Sequence, residues 1–162
     1  MTKEELIQLL KTYRESKAKL RLREKDLIKY NKDMKEAEKE LEIIKTRKLE
    51  INSDIRTKNK ISDTTANAVI RREQHIAEMK EKIAKTEEEI EKLKFNVEQI
   101  DDRLICLNYK EKELLTAYYI DNRTAEEIGT NLYWRIYNRT CSAKNIYIIL
   151  KRAVEKMSNL WK

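Results

Sequence analysis

One seven-residue series runs from Leu6 to Leu104 without slipping. Its members are Leu6, Tyr13, Leu20, Leu27, Met34, Leu41, Lys48, Ile55, Ser62, Val69, Ile76, Ile83, Ile90, Val97 and Leu104, and all but Lys48 and Ser62 are apolar or aromatic. A second series lies three residues further on and includes Leu9, Tyr30, Ala37, Ile44, Ile51, Met79, Leu93, Ile100 and Leu107. Glu and Lys crowd the remaining positions. An apolar repeat of this period makes helices wind around one another left-handedly, so residues 1–107 read as coiled coil.

The seam weakens between Lys58 and Arg72, where the core positions read Lys58, Ser62, Thr65 and Arg72. The intervening residues are poor helix formers, and Ser62 or Asp63 would cap a new helix. A reversal near 59–66 would give two antiparallel helices of roughly 45–55 residues, each about 70–80 Å long. The rival arrangement is one continuous helix in a parallel homodimer. The unbroken register favours it, and polar core positions can specify pairing in such a dimer.

Composition supports helices throughout. Pro is absent, Gly occurs once, and 40% of residues are charged. Turns and strands recruit Gly and Pro, and helices shun them. Cys106 and Cys141 form no metal-type pair and fit a reducing, cytoplasmic compartment. No apolar run is long enough to span a membrane, and the first residues lack the apolar stretch of a secretory signal. His75 beside the seam reads as a flanking surface residue. The run Glu87, Glu88, Glu89 reads as a solvated face. No phosphate-cradling loop, metal cluster or nucleophile–base pair points to an enzyme or a cofactor.

The net charge of +7 is unevenly placed. Residues 108–162 carry 10 basic and 6 acidic groups, and from Gly129 onward seven basic residues face Glu155 alone. Such an excess attracts phosphate polymers. The heptads end at Leu107, aromatics become dense, and three shorter helices are expected. The first covers about 110–120 and is closed by Asp121 and Asn122, which suit turns. The second covers about 125–132, with Thr124 and Glu127 in a capping-box pattern. The third starts after Ser142 and runs to about Asn159, with Ile146, Ile149, Leu150, Ala153 and Met157 as its buried stripe.

Three short helices with a basic last one form a helix-turn-helix pattern, in which the last helix enters the major groove of double-stranded DNA. Lys144, Asn145 and Tyr147 or Ile148 are the candidate base readers. Ser142 and Lys151 suit phosphates. The competing reading of the same pattern is a small helical bundle that binds protein.

The segments LNYKEKELLTAYYI (107–120), TAEEI (124–128), SAKNI (142–146) and LKRAVEKM (150–157) resemble region 4 of sigma-70 family factors. A long charged helical region ahead of such a module is similar to small phage transcriptional regulators of the ArpU and RinA-like group. The resemblance implies a promoter-binding regulator working beside RNA polymerase. It implies Thr124, Glu126 and Glu127 in a brace helix, and Ser142, Lys144 and Asn145 opening a recognition helix followed by Lys151 and Arg152. The chain departs from the family in the fourteen residues from Ile128 to Ser142, a longer spacing than the family uses. The extra aromatic and basic run 133–141, with Arg135 and Arg139, is expected to be either a wing-like loop on the DNA backbone or an extended packed turn. Gly129 stands where a small Ala is usual. Nothing resembles the promoter-melting region, so a partial sigma-like module is implied.

The expected fold is therefore all-α: a long antiparallel coiled-coil hairpin over 1–107, then a helix-turn-helix bundle over 108–162. The expected function is a DNA-binding transcriptional regulator. The alternatives are a DNA-packaging adaptor like a small terminase subunit, and a coiled-coil interaction protein with no DNA role.

Overall fold

The computed structural model describes residues 2–54 and 63–159. The fold is all-α: two long antiparallel helices are followed by a small bundle of short ones. Helix α1 spans Lys3–Asp54 and α2 spans Asp63–Ile105. The reversal expected near 59–66 lies largely outside the described residues. By Asp63 the chain is already helical.

Packing divides the chain into two compact units, Arg21–Glu91 and a second made of Met1–Leu20 with Lys92–Lys162. In the first unit, cross-helix ion pairs mark the register. Arg23 pairs with Glu89 at 2.8 Å, Lys45 with Glu73 at 2.7 Å, and Glu40 with Arg72. From Arg23 with Glu89 to Glu40 and Lys45 with Arg72 and Glu73, the partners move back along α2 as α1 advances, which is the signature of antiparallel pairing. Exposed pairs of this kind contribute little stability. The apolar seam carries it, here through Ala37, Ile76 and Met79 with Met34 and Leu41 against them.

Among the described residues, every apolar member of the two heptad series is buried or half-buried. Apolar residues off the series, such as Leu22, Ile28, Ile43, Ile70 and Phe95, are exposed. Near the start of α1 two residues beside the seam depart from this: Leu10 is fully buried and Ile7 half-buried.

The second unit explains Leu10. One core joins Leu6 and Leu10 of α1, Ile100 and Leu104 of α2, and Leu114, Leu115, Ile128, Ile146, Leu150 and Met157 of the short helices. The first turns of α1 are thus covered on two flanks. Tyr13 shows how its polar tip is accommodated at a seam position. Its hydroxyl donates to Asp101 at 2.5 Å and accepts from Lys17 Nζ at 2.8 Å. Burial, followed by the Asp101 contact, raises the Tyr13 pKa, so the phenol stays protonated.

The short helices are α3 (Tyr109–Leu115), a π-helical segment (Thr116–Ile120), α4 (Ala125–Glu127), a second π segment (Ile128–Leu132), α5 (Tyr133–Tyr137) and α6 (Ala143–Asn159). Asn108 and Thr124 each form a complete capping box with the Glu three residues on. Asn122 adopts a left-handed conformation, φ 55°, where the first of these runs ends.

The second run goes further than the sequence suggests. Residues 125–137 are helical without a break, so the expected stop at Leu132 is passed and 133–137 form neither a wing-like loop nor an extended turn. The ring of Tyr133 is buried and stacks on Tyr137, centroids 4.3 Å apart, and Lys110 Nζ sits 4.3 Å from the Tyr137 ring. These contacts tie α5 back to α3. The stop comes at Asn138, φ 54°, whose N–H donates to Trp134 O at 2.7 Å.

Left-handed backbone costs a residue with an ordinary Cβ about 1–2 kcal/mol, and Asn tolerates it better than most. Asn138→Ala is therefore expected to destabilise the protein by about 1 kcal/mol, while Asn138→Gly is nearly neutral. Urea unfolding of the two variants side by side checks this, and equal losses for both would contradict it.

Candidate nucleic-acid interface

The approach to α6 is built around the chain's single glycine. Cys141 N–H donates to Gly129 O at 3.0 Å, so the loop after Asn138 crosses the helix at that point. A Cβ on Gly129 would lie 2.1 Å from Cys141 O. Only a residue without a side chain allows this crossing. It delivers Ser142 to the head of α6, where its Oγ accepts weakly from Asn145 N–H at 3.4 Å.

Along α6 the expected stripe faces inward. Ile146, Leu150, Ala153 and Met157 are buried, Ile149 is half-buried, and Val154 joins them. Lys144, Asn145, Tyr147, Ile148, Lys151 and Arg152 are all exposed. At 100° per residue these six occupy roughly 160° of arc, a single face. The two ends of the helix differ in their ties. Glu155 pairs with Lys3 at 2.8 Å and Lys156 pairs with Glu111, which pins the C-terminal half to α1 and α3. The Lys3 partner holds the Glu155 carboxyl below its ordinary pKa. Lys144, Lys151 and Arg152 make no ion pair among the described residues. The cationic half of the face is thus held in place without a direct ion pair, although Lys151 and Arg152 lie near enough to Glu155 to help lower its pKa.

Thr124 caps α4 and is exposed. The structure brings it near Tyr147: both line a cleft of about 320 Å³ together with Tyr118, Tyr119, Arg123 and Lys11. The Tyr118 ring meets Tyr119 and Tyr147 edge-on, at 4.9 and 5.8 Å between centroids. Burial first, then a hydrogen bond with Tyr147, raises the Tyr118 pKa, and burial does the same for Tyr119. Both phenols are therefore neutral near pH 7.

Arg135 on α5 and Arg139 in the following loop are exposed, and neither lines this cleft. Sequence reasoning did not single out Lys11 or Arg123. Arg123 carried a signal, its place directly before the cap Thr124. Lys11 carried none, because its position depends on how α1 packs into the second unit.

Among the described residues no group of His, Cys, Asp or Glu has the arrangement of a metal site. No described helix is long and apolar enough to cross a membrane. Cys106 is exposed and Cys141 half-buried, both as free thiols. No protein-family model matches the chain, and neither does any curated protein or solved structure.

Proposed function

We propose that the protein is a sequence-specific regulator of transcription that binds double-stranded DNA through α6, in the cytoplasm. The observation that carries this reading is the exposed face of Lys144, Asn145, Tyr147, Lys151 and Arg152, whose cations make no ion pair among the described residues, backed by a largely buried apolar stripe. A helix of this kind fits the major groove. Its first turn meets base edges, and cations further along meet phosphates. Asn145 offers the paired donor and acceptor that an adenine edge takes, and Lys144 suits the acceptors of guanine. The resemblance to sigma region 4 supports placement at promoters beside RNA polymerase, and the long helical arm before the module fits a phage or prophage regulator.

The test is selection of bound sequences from a pool of random duplexes. One motif should be enriched, and a duplex carrying it should bind at least about a thousand-fold more tightly than random duplex at physiological salt. Uniform recovery of the pool would remove the regulator reading. Absence of binding at low salt would leave a bundle that binds protein.

A further inference from the structure

We propose that Lys11 of the long N-terminal helix contacts a phosphate of the DNA backbone, which makes the arm part of the DNA-binding surface; this rests on the DNA-binding reading above. The cleft beside α6 carries the argument. Its walls come from three separate stretches of chain: Lys11 from α1, Tyr118 and Arg123 from the end of the 109–123 stretch, and Tyr147 from α6. Lys11 and Arg123 are exposed and make no ion pair among the described residues. Glu126 also lines the cleft, so two cations face one carboxylate. The neutral phenols beside them add no negative charge.

A backbone phosphate is the anion that fits this position. Tyr147 is both a wall of the cleft and a member of the exposed α6 face. A polyanion resting on that face therefore passes the mouth of the cleft. A recognition helix in the major groove is flanked by phosphates, and contacts to them fix register without reading sequence. A lysine acts there as a point charge. The Lys11 backbone is already held in place, because Leu10 next to it and Leu6 one turn earlier are fully buried in the unit's core. Binding would then order only the side chain.

The experiment measures affinity for a short random-sequence duplex against salt, for the unmodified protein, Lys11→Ala, Lys11→Arg and Lys19→Ala. Lys19 is exposed on the same helix and does not line the cleft. Lys11→Ala should make the slope of log affinity against log salt shallower by about 0.9 and weaken binding about five-fold at physiological salt. Its melting temperature should hold, since Ala suits an exposed helix position. Lys11→Arg and Lys19→Ala should keep the full slope. If the unmodified protein binds duplex and Lys11→Ala keeps the full slope, or Lys19→Ala loses as much, the contact is overturned and the DNA-binding reading stands. If the unmodified protein does not bind duplex, both are overturned.

Discussion

Replacing Gly129 by alanine is expected to destabilise the protein by about 3 kcal/mol, lowering its melting temperature by roughly 6–12 °C. The sign is the reverse of the usual one. In an exposed helix interior the same change gains about 1 kcal/mol. Here the new methyl would sit 2.1 Å from Cys141 O, a backbone atom that cannot rotate aside. The loop must move, which breaks the 3.0 Å bond from Cys141 N–H to Gly129 O and displaces the head of α6. Overpacking at a fixed backbone belongs to the short list of mechanisms with large effects. Thermal and urea melting of the variant decide the matter, and an unchanged or raised midpoint would falsify this account of the crossing.

Removing Lys144 and Lys151 together should weaken binding to the selected duplex by roughly 30- to 1,000-fold, from one base-edge contact and one phosphate contact. The salt slope should fall by about one unit for each phosphate contact removed. Stability should hold, since both side chains are exposed and neither is in an ion pair among the described residues. Fluorescence anisotropy across a salt series, beside a melting curve, separates lost contacts from lost fold. Full affinity in a folded double variant would show that α6 is not the reading helix.

The antiparallel pair was legible because burial on a coiled coil follows one rule. A residue on the repeat meets the partner helix, and one off it meets solvent. Ile76 and Ile83 against Ile28 and Ile43 obey that rule. Leu10 breaks it, and nothing in a heptad pattern says that a third layer will cover the neighbouring flank. The ends of the short helices were legible where a residue bears a backbone conformation. Asn122 marks a stop in both sequence and structure, while Asn138 carries the same signal six residues beyond the stop expected at Leu132. The reason is that 133–137 are aromatic and basic, a composition that suits a surface loop as well as a helix anchored by ring stacking. The exposed face of α6 follows from its 3.6-residue apolar spacing. Lys11 was not legible, since its neighbours in the cleft are more than a hundred positions away in sequence.

The shared core of α1 and α6 has a consequence for the order of synthesis. Lys3 and Glu155 are 152 positions apart and in contact, so this turn of α1 completes its packing only after α6 has emerged from the ribosome. At about 5–20 residues per second, Leu6 and Leu10 wait roughly 7–28 seconds for Ile146 and Leu150. Pairing of α1 with α2 is available sooner. In the second unit it sets residues 2–20 alongside 92–107, a nascent platform on which the remaining helices can dock as they appear.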